Sequence, residues 1–234
     1  MTDPGLEGAG IIANTLFGRG PDTNRFGRMP YTTYPASFVY ETPMMEHDLS
    51  APPGRTHKHA LPTQCFYRSR LATRLRQRFV RRYYTGTPVV PFGHGLSYSR
   101  WSMQASGAAM TIATDGSKDT AVRIAVTNHG PLVGDCVVLA FLVPKHLPTQ
   151  KGLKLRQKLW QFERLSDVAV GDTAHAEFIV SAEALAIADL GSGDLVAAPG
   201  TYALDFRDGS ASEPTSIELT VEGPQVVIEP FPSA

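Results

Sequence analysis

From Trp101 onward, apolar and polar positions alternate with a period of two. Val122, Ile124 and Val126 alternate with Arg123, Ala125 and Thr127, the pattern of a strand with one buried face. Ala174, Ala176, Phe178 and Val180 alternate with His175, Glu177 and Ile179. Tyr202, Leu204 and Phe206 alternate with Ala203 and Asp205, and Ile217, Leu219 and Val221 with Ser216, Glu218 and Thr220. Residues 137–143 are apolar throughout, as in a central strand covered on both sides. Weaker candidates at 110–113 and 159–164 bring the expected strands to seven. Asn128-His129-Gly130, Val170-Gly171-Asp172, Pro199-Gly200 and Arg207-Asp208-Gly209 supply the turns. Short strands at this spacing, without sizeable helices, predict an immunoglobulin-like β-sandwich.

The first hundred residues carry a different pattern. Ile11, Ile12, Leu16 and Phe17 suit one helical stripe, closed by Gly18 as a C-cap. So short a helix needs a partner for its apolar face. Residues 19–53 are rich in Pro, Gly, Tyr and Thr and read as extended chain lying on a surface that these 234 residues do not supply. The first 50 residues are accordingly expected to be poorly ordered in the isolated chain. Between 57 and 82, Lys58 and Arg68, 70, 74, 76, 78, 81 and 82 carry eight positive charges without an acid. Leu71, Leu75 and Phe79 recur every four residues there, so a basic amphipathic helix is formally allowed. Residues 85–98 form a loop punctuated by proline and glycine.

Composition adds constraints. With 42% hydrophobic and 19% charged residues the chain has the balance of a folded domain rather than a disordered one. Its 22 basic and 22 acidic residues cancel, which removes the long-range attraction of a basic nucleic-acid binder. Without the eight basic residues of 57–82, 14 positive charges face 22 negative ones, a net of −8. Two cysteines are too few for a disulfide scaffold. No apolar run approaches the roughly eighteen residues of a membrane-spanning helix, and Met1-Thr2-Asp3-Pro4-Gly5 shows no signal-peptide pattern.

Candidate chemistry is sparse. Glu41, Glu46 and Asp48 form the densest acidic cluster, but nothing around them suggests a pocket, and they read as a solvated loop. His57, His59 and Cys65 provide at most three metal ligands. Cys65 and Cys136 are the one possible disulfide, yet Cys136 opens an apolar strand and reads as a small core residue. The arginine-rich stretch, preceded by Phe66 and Tyr67, has no nucleic-acid motif around it and reads as a solvated insertion. Trp160 and Phe162 offer either a sugar-stacking platform or, preferred, one or other of them filling the space between the two sheets. Phe92, His94 and Tyr98 are expected to pack the linker against a neighbouring domain.

Several short motifs in order resemble one family. The stretch Pro4-Gly5-Leu6-Glu7-Gly8 through Ile12-Ala13-Asn14-Thr15-Leu16-Phe17-Gly18 is similar to the closing helix of the α/β sandwich domain of family 3 glycoside hydrolases. Gly27-Arg28-Met29-Pro30-Tyr31-Thr32-Thr33-Tyr34-Pro35, Pro53-Gly54-Arg55-Thr56, Arg82-Tyr83-Tyr84-Thr85-Gly86 and Pro91-Phe92-Gly93-His94-Gly95-Leu96-Ser97-Tyr98 continue the resemblance. Val126-Thr127-Asn128-His129-Gly130, Gly134-Asp135, Phe162-Glu163-Arg164, Val170-Gly171-Asp172 and Pro199-Gly200-Thr201-Tyr202 are similar to the fibronectin type III-like domain that ends many members. The Pro-Gly-Arg-Thr and Tyr-Tyr-Thr-Gly-x-Pro-Val pieces look most like the β-xylosidase branch. In the family pattern these two pieces nearly adjoin. Here about twenty-four residues, roughly 57–80, separate them, with a composition that fits translated non-coding sequence and a lineage-specific loop equally well.

The resemblance implies a mainly β fold with four regions. Residues 1–50 would be the C-terminal strip of an α/β sandwich domain, and 51–100 a linker carrying the basic insertion at 57–80. Residues 101–222 would be the fibronectin type III-like domain and 223–234 a tail. It also implies hydrolysis of β-linked xylosides or glucosides in plant cell-wall breakdown by the full enzyme, through a retaining mechanism that needs two carboxyl groups about 5–5.5 Å apart. Those groups belong to regions of the family upstream of the matched segments. No catalytic, cofactor-binding or metal-ligating residue is therefore expected in this chain, and no cofactor. Expected partners are the remaining domains of a family 3 hydrolase, and carbohydrate in the full enzyme, with neither nucleic acid nor membrane; the parent family is expected to be extracellular. The rivals are a non-catalytic module binding a protein or polysaccharide through Trp160 or Tyr202, and an inactive regulator docked on a complete hydrolase.

Overall fold

The fold was obtained as a computed structural model, which describes residues 8–20, 23–41, 83–84, 86–115, 119–150, 153, 155–189, 191–210 and 212–232. The alternating segments form the expected β-sandwich. One sheet has the order β1-β3-β6, built from β1 (Trp101–Ala105), β3 (Thr120–Asn128) and β6 (Thr173–Val180). The other has the order β2-β10-β9-β4-β5, built from β2 (Ala109–Ala113), β4 (Gly134–His146), β5 (Lys158–Val168), β9 (Gly200–Arg207) and β10 (Thr215–Glu222). The chain changes sheets between β1 and β2: β1 pairs antiparallel with β3, whereas β2 runs parallel to β10.

Inward residues of both sheets make the main core, with Ile124, Val126, Phe178, Tyr202, Leu204, Phe206 and Leu219 almost wholly buried. The Tyr202 hydroxyl donates to the Ala198 carbonyl at 2.7 Å, the local bond that pins the equivalent corner in immunoglobulin-like sandwiches.

The apolar run of β4 has two destinations. Cys136, Val138, Ala140 and Leu142 face the main core, while Val137, Leu139 and Phe141 face outward. Outside, Phe92 covers them, its ring edge-on to Phe141 with centroids 6.3 Å apart. Both faces of β4 are thus buried, as the absence of alternation implied. Residues 89–99, with the turns at 132–135 and 208–209, supply a surface within this chain that residues 24–33 contact.

Among the described residues four strands were not foreseen: β1 and three more. β7 (Ile187–Ala188), β8 (Leu195–Ala197) and β11 (Val226–Glu229) form a small sheet of order β11-β8-β7 over Leu147, Leu153 and Leu155. The last of these lies within the segment read as a tail. The helices are short: α1 (Gly8–Phe17), α2 (Phe38–Glu41) and α3 (Ala182–Leu185). Ser181 caps α3, its hydroxyl accepting from the Ala184 amide at 3.3 Å. Among the described residues no helix is long and apolar enough to cross a membrane.

Candidate functional site, the seam between the N-terminal segment and the sandwich

Among the described residues a dense polar arrangement outside the sheets lies where residues 23–34 meet the sandwich. Asn24 is 1% exposed and uses its whole amide. Its Nδ2 donates to Ser99 Oγ (2.9 Å) and to the Val133 carbonyl (3.3 Å), and its Oδ1 accepts from Ser97 Oγ (3.1 Å) and the Tyr98 amide (3.0 Å). The Asn24 carbonyl accepts from the Asp135 amide at 3.1 Å. A Cβ on Gly134 would stand 2.2 Å from the Asn24 amide nitrogen, so the close approach requires glycine there.

Arg28 makes the second anchor. Its Nε donates to the Asp208 carbonyl, and burial lowers its basicity. Gly209 has φ +82°, and a Cβ there would lie 2.1 Å from the Gly93 carbonyl and 2.6 Å from Arg28 Cδ. Gly95 donates its amide to the Gly209 carbonyl, Gly93 to Met29, and Thr33 bridges Val90 in both directions. Asp135, buried at the start of β4, accepts from Arg164 at 2.8 and 2.7 Å and from the Asp167 amide. Arg25 in turn pairs with Asp167 at the surface.

On the outer face of the five-stranded sheet sits a second buried charge pair. Arg207 donates to Asp205 Oδ2 (2.8 Å) and Gln157 Oε1 (3.2 Å), lies 5.0 Å from the Phe141 ring centroid, and Ser216 donates to the other Asp205 oxygen. Each of these carboxylates is tied into a charge pair and hydrogen bonds, an arrangement that holds loops and strands in place.

The foreseen residues divide as follows. Phe92 packs on the sandwich, the His94 carbonyl accepts from Met29, and the Tyr98 hydroxyl lies 2.6 and 3.0 Å from the Thr15 and Leu16 carbonyls, where it donates to the end of α1. Trp160 turns inward, edge-on to Phe178 at 6.0 Å, as preferred. Phe162 does not: it is 65% exposed. Tyr202, offered as a polysaccharide contact, is fully buried and has no face for a sugar. Cys136 is buried, and burial pushes its thiol up to about 12, far from the reactive range. Glu41 ends α2; Glu46, Asp48, His57, His59, Cys65 and the arginine-rich stretch lie outside the described residues. Among the described residues no cluster of His, Cys, Asp and Glu suits a metal ion.

Sequence reasoning missed Asn24, Asp135 and Asp205. The only available signals were Asn24 itself in an otherwise unpatterned segment and carboxylates inside apolar strands. Large apolar side chains of the N-terminal segment also remain exposed: Ile11, Leu16, Phe17 and Tyr31 are 62%, 69%, 72% and 57% exposed.

No family model matches the chain. It is 30% identical over 98% of its length to a probable exo-1,4-β-xylosidase of Aspergillus fumigatus, covering 28% of that protein. An exo-1,4-β-xylosidase of Emericella nidulans is 29% identical over 96% of the chain, which covers 27% of it. The chain thus spans less than a third of the curated relatives it matches. Among solved structures, a GH3 exo-β-xylosidase in complex with a xylobiose aziridine probe superposes on 98% of the chain, 28% of its own length, with a TM-score of 0.74 and 22% identity. A β-glucosidase from Erythrobacter marinus gives 0.57 over 91% of this chain and 24% of its own, at 23% identity.

Proposed function

Because the chain corresponds to the C-terminal portion of a family 3 glycoside hydrolase of the exo-β-xylosidase kind, we propose that it serves such an enzyme as structural support for the catalytic domains, in the hydrolysis of β-linked xylosides or glucosides. The observation that carries this reading is the seam. The segment 23–34 is stitched to the sandwich by Asn24 and Arg28, while α1 just before it leaves Ile11, Leu16 and Phe17 largely exposed. A short helix with exposed large apolar side chains is stable only when something covers them, and the remaining domains of a hydrolase are the cover proposed. In this reading 1–50 closes an α/β domain, 51–100 links and 101–222 braces.

The catalytic carboxylates of the full enzyme lie outside this chain in the same reading. The buried carboxylates Asp135 and Asp205 support it, because each is already paired with an arginine. The test is turnover of aryl β-xylosides and β-glucosides by the purified chain. No turnover above the blank is expected; turnover abolished by changing one carboxylate of this chain would overturn the assignment. Addition of the remaining domains of a family 3 xylosidase should give a stoichiometric complex that Leu16→Asp with Phe17→Asp prevents.

A second reading, a polysaccharide-binding module, rests on Phe162, whose exposed ring on β5 is available for stacking. It predicts xylan affinity lost in Phe162→Ala and unchanged in Tyr202→Phe.

A further inference from the structure

Sheet edges are where one chain adds strands to another, and folded proteins block them with charge, proline, bulges or cover. Three of the four sandwich edges here are blocked. On β6, Glu163 Oε2 accepts from the Glu177 amide at 2.8 Å and Gln161 Oε1 from the Ile179 amide at 3.3 Å, both reaching across from β5. On β1, Thr215 Oγ1 donates to the Met103 carbonyl at 3.1 Å. β5 is broken by two register shifts and carries Lys158, Glu163, Arg164 and Asp167.

The fourth edge, β2, has none of these devices. Ala109-Met110-Thr111-Ile112-Ala113 contains no charge and no proline, and its register with β10 is unbroken. It ends the order of its sheet, with no strand on its other side among the described residues. The Glu218 amide donates to the Ala108 carbonyl (3.0 Å) and the Thr114 amide to the Glu222 carbonyl (2.9 Å). In a parallel ladder, alternate residues bond to the same neighbour. Met110 and Ile112 therefore face β10, and the N–H and C=O groups of Ala109, Thr111 and Ala113 point away from it. Those three residues are also the exposed ones.

The strand complements itself. Turned by a two-fold axis at Thr111 and laid antiparallel, it sets Thr111 against Thr111, Ala109 against Ala113, and Met110 against Ile112. Every outward backbone group then meets a partner, because hydrogen-bonded pairs in an antiparallel ladder fall on alternate residues. Side chains of like size meet on each face, and no like charges oppose each other. We propose that β2 is a homodimerisation edge, joining the five-stranded sheets of two copies of this chain into one continuous sheet centred on Thr111.

Sedimentation equilibrium of the full chain should show a concentration-dependent species of twice 25.4 kDa. T111K, which sets two ammonium groups face to face, and T111P, which removes an outward N–H without touching the β10 ladder, should both give monomer with an unchanged far-UV spectrum. In a C65S background, T111C should cross-link on mild oxidation, because residues of a hydrogen-bonded pair stand about 5.5 Å apart between Cα atoms. A109C, which faces Ala113 of the second copy, should not. A chain that stays monomeric at every concentration, a dimer indifferent to T111K and T111P, or an A109C cross-link as efficient as that of T111C would overturn the proposal.

Discussion

Asn24 shows how much one side chain can hold. Its amide serves two donors and two acceptors on the loops 97–99 and 132–134, and Asn24 itself is almost wholly buried. Asn24→Ala would leave the Tyr98 amide without its acceptor, while the Ser99 hydroxyl keeps its bond to the Leu132 carbonyl, and an orphaned buried group costs about 1–3 kcal/mol. A loss of about 1–3 kcal/mol in urea unfolding is expected, and a change under about 1 kcal/mol would show that water replaces the amide. Cys136 makes a different residue-scale prediction. Burial holds its thiol protonated up to about 12, with the Asp208 charge acting the same way, against an ordinary value near 8.5 in the unfolded chain. The folded pKa is raised, so the associated stability is complete below about pH 8.5 and is lost as pH climbs towards 12. The stability gap between the wild type and Cys136→Ala should therefore narrow over that range. A thiol reagent should leave Cys136 unmodified until denaturant is added.

At the scale of elements, β5 closes the gap between the two sheets. Gln161 and Glu163 satisfy amides of β6 that no strand reaches, so the edge is finished by side chains. Glu163→Ala should speed hydrogen exchange at Glu177 while leaving Val122 and Ile124 protected, at a cost of about 1 kcal/mol or less; unchanged exchange at Glu177 would show that this bond does not guard the edge. The same strand shows where the sequence was legible. The alternation of 122–126, 174–180 and 217–221 located three strands because one face of each is buried and the other is more exposed, whereas in 202–206 it marked the core face although Ala203 and Asp205 are buried as well. The split between Trp160 and Phe162 was not legible, because a register shift between Ala140 and Phe141 places an extra residue on β5. Trp160 and Gln161 consequently both face inward, and Phe162 falls on the opposite side. β11 reads as tail for another reason: Val226–Glu229 gains its ladder from the distant Leu195–Ala197, and three apolar residues before a glutamate say nothing about a remote partner. Asn24 and Asp205 were hidden likewise, since a polar side chain in a loop or strand does not announce what it will bond.

For the whole molecule, the seam divides the N-terminal segment into a fixed and a loosely held part. Residues 28–34 exchange backbone hydrogen bonds with 89–94, which in turn pack on β4 through Phe92. Among the described residues α1 has no comparable support. Its ten residues are fewer than the ~12–15 at which an isolated helix becomes even marginal in water, and Ile11, Leu16 and Phe17 are largely exposed. Its attachment to the sandwich runs through the Tyr98 hydroxyl, at the carbonyls of Thr15 and Leu16. Hydrogen exchange should accordingly fall into two classes. The amides of Met29 and Thr33 should exchange with the global stability of the sandwich, and those of α1 many times faster. Tyr98→Phe should accelerate α1 further without moving Met29 or Thr33, because the ring still packs on Phe26 while the hydroxyl bond is gone. Under the proposed support role, covering these side chains with the remaining domains of a family 3 hydrolase should slow α1 to the rate of the core. Protection of α1 equal to that of Thr33 in the chain by itself would mean that the helix needs no such cover, and the structural-support assignment would lose its main argument.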